Sequence, residues 1–201
     1  MMMPSTASQA AVRARPRIVL TRHGRPDLRL PRHVRPRDWP ALVHAYDRAG
    51  ICPASLPKLP LAQLASQCGL VACSPLRRSV ESARLLGGTQ ETLCDELFRE
   101  VALPHAPWTL PPLHPYVWGT LFRFAWMCGF ARNGEDRAGA QRRADAVTHR
   151  LVELANERGS VLLVGHGVLN QLIAKNLRAR GWQGPRLPGI TFWAFAVYSS
   201  P

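Results

Sequence analysis

The sequence predicts an α/β fold, a three-layer sandwich with a mostly parallel central sheet and helices on both faces. Two observations carry this. Short, continuously apolar runs, Ile18-Val19-Leu20, Leu70-Val71-Ala72-Cys73 and Val161-Leu162-Leu163-Val164, read as strands buried on both sides. Helical patterns separate them, giving the alternation of strand and helix that builds a parallel sheet.

Arg17 to Thr21 reads as the first strand, and the Arg- and Pro-rich stretch from Arg25 to Pro40 cannot form regular helix. Ala41 to Ala49 reads as a short helix closed by Gly50, and Leu59 to Cys68 as another with Gly69 as its stop. After the strand at Leu70, Ser74 and Pro75 suit the N-cap and first position of a helix running to Gly87-Gly88. Glu91 to Val101 is expected as a strand or extended edge, Pro104 to Pro115 as a proline-rich loop, and Tyr116 to Phe130 as an aromatic helix. Glu135 to Arg158 forms a long helix stopped near Gly159. The strand at Val161 runs into Gly165-His166-Gly167 and a further helix, and Thr191 to Tyr198 supplies a last strand. The expected organisation is a frayed leader over 1–16 and one domain over 17–201.

Composition narrows the function classes. The 201 residues hold 46% hydrophobic residues, as an ordinary globular domain does. The formal net charge is +13, almost all from arginine, since Lys58 and Lys175 are the only lysines. Abundant Arg, Ala, Pro and Gly point to compositional bias as its source. No RNP, zinc-finger or basic-zipper pattern accompanies the charge, which argues against nucleic acid as a partner. The five cysteines, Cys52, Cys68, Cys73, Cys94 and Cys128, lack CxxC spacing and are odd in number. They are expected as reduced, mostly buried thiols in a cytoplasmic protein. No apolar run approaches the length of a bilayer span, and the segment up to Arg17 lacks a signal peptide's apolar core.

Three of the buried strands end in residues suited to anions: Arg22-His23-Gly24, Ser74-Pro75-Leu76-Arg77 and Gly165-His166-Gly167. Open α/β sheets bind ligands beyond the carboxyl ends of their strands. If these strands are neighbours, Arg22, His23, Arg77 and His166 converge into a basic cup for a phosphoryl group. The arginines offer planar forks for its oxygens, and a histidine can act as base or nucleophile.

On these blocks the sequence resembles the histidine phosphatase, or phosphoglycerate-mutase-like, superfamily, over roughly residues 17 to 198. The resemblance implies that His23 is the nucleophile and Arg22 its partner. The family's second arginine, from a Ser-Pro-Leu-x-Arg-type helix start, is assigned to Arg77, which leaves Arg78 as a surface charge. His166 is the second histidine. The family acid falls on Glu100 of Phe98-Arg99-Glu100, with Glu96, four residues earlier, open as the alternative, because residues four apart share a face in strand and helix alike. Glu81, one turn after Arg77, is read as its ion-pair partner. Gly24 and Gly167 are expected to let ligand approach closely.

The sequence also departs from the family. Arg25-Pro26 replaces the usual residues after Arg-His-Gly, so Arg25 is expected to complete the phosphate cup, and Asn170 stands where relatives often carry a basic residue. The resemblance implies a substrate-covering insertion near 104–134; within it Trp118, Phe122, Trp126 and Phe130 recur at helical spacing, first of all as a core-facing stripe and alternatively as an apolar lid. The activity implied is a phosphatase acting on a phosphorylated small molecule through phosphohistidine, with no cofactor or metal. A mutase and a non-catalytic anion-binding module are the alternatives.

Overall fold

The protein is described here by a computed structural model covering residues 15–88 and 90–201; the leader expected over 1–16 lies almost wholly outside the described residues. Five strands form one sheet: β1 (Arg17–Arg22), β2 (Leu70–Cys73), β3 (Thr92–Cys94), β4 (Ser160–Gly165) and β5 (Phe195–Ser199). Their order across the sheet is β3-β2-β4-β1-β5. All neighbours are parallel except β5, which runs antiparallel to β1. The expected α/β sandwich is borne out.

Strand alternation divides the core in two. Ile18, Leu20, Ala72, Val161 and Leu163 face one layer, where α5 (Arg137–Arg158) and α6 (Gly167–Ala179) pack. Val19, Val71, Cys73, Leu162 and Val164 face the other, built on α2 (Leu59–Ser66) and α3 (Arg77–Gly87). Every residue of β2 and β4 is buried, which is why these runs carry no polar alternation. A third apolar cluster, outside the sheet layers, joins Trp39 of α1 (Trp39–Arg48) to Trp118 and Phe122 of α4 (Pro115–Met127). The aromatic stripe of α4 is core: Trp118 and Phe122 are buried in this cluster, and Trp126 in the layer with α5 and α6. Phe130 lies beyond the helix and packs near Trp108, ring centroids 5.5 Å apart.

Some boundaries differ from the sequence reading. The edge expected over Glu91 to Val101 is a three-residue strand followed by a 3₁₀ turn at Glu96–Phe98. The last strand begins at Phe195, because Trp193, with φ 61, and the turn around it precede the pairing with β1. Helix α3 begins at Arg77 rather than beside Ser74. Gly159 ends α5 with φ 74, a left-handed value that suits glycine. All five cysteines are free; Cys68 and Cys73 are buried, but Cys94 and Cys128 are exposed, so the thiols are less buried than expected.

Candidate active site

The carboxyl ends of β2, β4 and β1 lie side by side at the centre of the sheet. In register, Arg22 pairs with Gly165, and Cys73 with Val164. The His23 N–H still donates to the Gly165 carbonyl at 3.2 Å, carrying the ladder one residue past β1. His23 and His166 are thereby brought to one place, ring centroids 5.1 Å apart. Arg22, His23, Arg78, Glu100 and His166 line one cavity of about 320 Å³.

His23 is buried and its tautomer is determined by its neighbour. Nδ1 lies 2.8 Å from the Gly24 carbonyl oxygen, which only accepts, so Nδ1 carries the proton and Nε2 the lone pair. Burial holds the imidazole well below its ordinary pKa, and the charges of Arg78 and Arg22 push the same way. Gly24 is required by packing: a Cβ there would meet the indole of Trp193 at 2.6 Å. The Gly24 N–H donates to Ser82 Oγ at 2.9 Å, tying the turn to α3.

His166 is fully buried, and burial together with His23, Arg78 and Arg22 lowers its pKa well below the ordinary value. Nε2 shares a 2.7 Å hydrogen bond with Ser74 Oγ. Ser74 therefore orients His166 instead of capping α3, which begins three residues later. Nδ1 is buried with no hydrogen-bond partner among the described residues. Of the flanking glycines, Gly165 is demanded by Asn170, whose Oδ1 would stand 2.3 Å from an added Cβ, while its Nδ2 donates to the Thr21 carbonyl at 3.0 Å. Asn170 thus ties α6 to β1. Gly167 sits between Glu100 and Arg22, with room for a Cβ at 3.7 Å from Glu100 Oε2.

The second arginine at the histidines is Arg78, and the expectation for Arg77 is corrected. Arg78 is 2% exposed, and its Nε donates to His23 Nε2 at 3.2 Å. Its Nη1 donates to Asp47 Oδ1 and to the Tyr46 carbonyl, both at 3.0 Å, and its guanidinium stacks over the Tyr46 ring at 4.5 Å. A buried charge needs such pairing. The Arg77 side chain is 69% exposed and pairs with Glu81 at 2.7 Å. The physical reason is helix phase: with α3 starting at Arg77, Arg78 and Ser82 face inward while Arg77 and Glu81 face out. The signal was present in the sequence, since Ser-Pro-Leu-x-Arg counted from Ser74 ends on Arg78.

Arg22 donates Nη1 to the Ile190 carbonyl, lies 4.6 Å over the Phe192 ring, and keeps a buried Nε without a partner among the described residues. Glu100 accepts backbone N–H bonds from Val168, at 3.2 Å, and Leu169, at 3.0 Å, at the start of α6. Its carboxylate complements that end of the helix dipole. Glu96, the alternative, is 71% exposed and pairs with Arg99 outside the cavity. Glu81 bonds to Arg77, as read from the spacing, and also accepts the Ile51 N–H at 2.7 Å. Arg25 does not join the cup. It is exposed, donates to Cys52 Sγ at 3.2 Å, and borders a neighbouring cavity with Asp27 and Arg29.

A neutral, buried imidazole lone pair beside the Arg78 guanidinium, with Arg22 and a carboxyl group lining the same cavity, suits attack on a phosphorus centre. A native structure of mycobacterial glucosyl-3-phosphoglycerate phosphatase is similar at TM-score 0.60 and 21% identity, over 90% of this chain and 89% of that one. The product of an open reading frame of Mycobacterium tuberculosis is similar at TM-score 0.55 and 20% identity, over 90% of both chains. An Entamoeba histolytica phosphoserine phosphatase variant is similar at TM-score 0.51 and 16% identity, over 81% and 80%. The structural likeness shows a shared fold. A search of curated proteins finds no match. The family model of the histidine phosphatase superfamily (branch 1) matches residues 18–191, and the chain belongs to that superfamily.

Proposed function

We propose that the protein is a phosphomonoesterase that works through a phosphohistidine on His23 and acts on a phosphorylated small molecule. The observation that carries the reading is the state of His23: buried, with the proton held on Nδ1 by the Gly24 carbonyl and the Nε2 lone pair beside Arg78. Phosphatases among the structurally similar proteins support it.

The steps balance with the residues at hand. His23 Nε2 attacks phosphorus in line, forming an N–P bond as the ester P–O bond breaks. Arg78 turns its Nε–H from His23 to a phosphoryl oxygen, and Arg22 and His166 donate to the others as charge grows on them. Glu100, which takes a proton from the phosphomonoester monoanion as it binds, gives that proton to the leaving oxygen. Water then attacks phosphorus, Glu100 takes the water proton, and the N–P bond breaks to free phosphate. The arginines supply the positive charge, so the scheme uses no metal. Burial keeps both imidazoles neutral before substrate binds, which leaves His23 a nucleophile at neutral and mildly acid pH.

The test is release of phosphate from p-nitrophenyl phosphate and a metabolite panel, with rapid acid quench to trap phosphoprotein. The wild type should turn over and carry phosphate on the peptide containing His23, and His23→Ala should lose ~10⁴-fold or more in rate and carry none. Equal rates in both proteins overturn the reading. Isomerisation of a phosphorylated sugar acid without net phosphate release would replace it with a mutase, and phosphate binding without a trapped phosphoenzyme with an anion-binding module.

A further inference from the structure

We infer that the substrate's leaving group carries a second oxyanion, a carboxylate or a further phosphate, and that Arg123 recognises it. The inference rests on the phosphomonoesterase reading for the reacting phosphate and adds the substrate class.

Helix α4 forms one wall of the cavity that holds His23. Tyr116, Gly119, Thr120 and Arg123 all line it, at the i, i+3, i+4, i+7 spacing of a single helical face. The other faces of α4 are committed elsewhere: Trp118, Phe122 and Trp126 are buried in packing, and Val117, Leu121 and Phe124 are exposed. Arg123 is thus the cation that α4 presents to the cavity, among apolar neighbours such as Leu42 and Val43.

Its pairing is incomplete. Arg123 Nε is buried and has no hydrogen-bond partner among the described residues. No described carboxylate forms an ion pair with it, whereas Arg78 pairs with Asp47 at 3.0 Å and Arg143 with Glu135 at 2.6 Å. A guanidinium whose charge no neighbouring carboxylate offsets is costly to hold among apolar side chains, and an arriving oxyanion relieves that cost. A guanidinium is matched by a planar or tetrahedral oxyanion, and apolar walls strengthen such a bond by excluding water. Arg22 and Arg78 already serve the reacting phosphate at the strand ends, so a ligand spanning the cavity brings a second anionic group to α4. A second cavity of about 440 Å³ shares Arg78 and Glu100 but is not lined by His23, His166 or Arg123. The leaving group is therefore assigned to the α4 side.

The experiment uses phosphomonoesters with a spacer of two to six methylenes ending in methyl, ammonium, carboxylate or phosphate. Phosphate release gives kcat/KM for each in the wild type, Arg123→Gln and Arg123→Lys. Calorimetry on His23→Ala measures binding of the same compounds without turnover. At the best spacer length the wild type should prefer an anionic end over methyl by about ten- to a hundredfold, the strength of a charge-assisted hydrogen bond. Arg123→Gln should lower that ratio to about threefold or less, and Arg123→Lys should keep part of it. Whether carboxylate or phosphate ranks first names the source of the oxyanion. The inference is overturned by absence of any preference at every length, by a preference that survives in Arg123→Gln, or by a loss that is uniform across all end groups, which would make Arg123 part of the phosphate cup. If the wild type releases no more phosphate than His23→Ala, the phosphatase reading fails, while calorimetry still decides the role of Arg123.

Discussion

The two walls of the cavity are built differently. At the strand ends, His23 and His166 are 2% and 0% exposed, and the groups around them are held by named partners: Gly24 for His23, Ser74 for His166, Asp47 and Tyr46 for Arg78, and the α6 amides for Glu100. On α4, the cavity-lining Tyr116 is 65% exposed, and Arg123, unlike Arg78, forms no ion pair or side-chain hydrogen bond among the described residues. Apart from Arg22 Nε and His166 Nδ1, the first wall holds its polar groups in place before any ligand arrives, which is what transition-state stabilisation requires. The second leaves its polar capacity open, which is what selection among ligands requires. Chemistry and choice of substrate are thereby assigned to different elements, and substitutions on each wall should affect different kinetic quantities.

The largest effect should come from Arg78 on the strand-end wall. Arg78→Ala removes a donor beside the nucleophile and should lower kcat/KM by roughly 10² to 10³-fold for every phosphomonoester, whatever its leaving group. The same change leaves Asp47 without its buried partner, so circular dichroism should accompany the kinetics. Arg78→Lys keeps a charge without the planar fork and should recover only part of the loss. If Arg78→Ala stays within threefold of wild type while folded, the strand-end wall is not the site of the chemistry.

The strand-end wall was the more legible of the two. Buried apolar runs and the turn residues after them revealed β1, β2 and β4, and with them His23 and His166. The errors lie where local geometry breaks a period. Ser74-Pro75 has the chemistry of a helix start, but Ser74 is taken by His166 and α3 begins at Arg77, so the inward face shifts to Arg78. Glu96 and Glu100 share a face in any regular element, yet the 3₁₀ turn between them points Glu96 to solvent and Glu100 into the cavity. Arg123 was invisible for another reason. Its helix is rich in aromatic residues, and only the packing of Trp118 and Phe122 against Trp39 shows which face remains for the cavity.

An intermediate effect concerns stability and again separates the walls. His23 and His166 have pKa values held well below the ordinary 6.5, chiefly by burial. The unfolded chain takes up protons near pH 6.5 while the folded one does not, so acid favours unfolding. The contribution is full above about pH 7.5 and is lost as the pH falls through 6.5 toward the folded values, by up to about 1.4 kcal/mol per pH unit for each histidine. Glu81, held low by the Ile51 N–H and Arg77, adds its own acid loss only below about pH 5. Urea denaturation between pH 5 and 7.5 should therefore show a slope that His166→Gln reduces by about half. A flat profile in the wild type would mean that the pair is not buried and neutral as described.

The smallest effect should belong to Arg77, and it sharpens the comparison most cheaply. Arg77 and Arg78 are adjacent in sequence and identical in chemistry, so composition, local charge and helix propensity do not distinguish them. Their surroundings do: one side chain is 69% exposed on Glu81, and the other is 2% exposed against His23. An exposed i,i+4 pair contributes about 0.3–0.5 kcal/mol. Glu81 also retains its bond from the Ile51 N–H when Arg77 is removed. Arg77→Ala should thus leave kcat/KM within about twofold and shift stability by less than about 1 kcal/mol. A hundredfold loss of activity in Arg77→Ala, with Arg78→Ala unaffected, would reverse the phase of α3 and return the phosphate contact to Arg77.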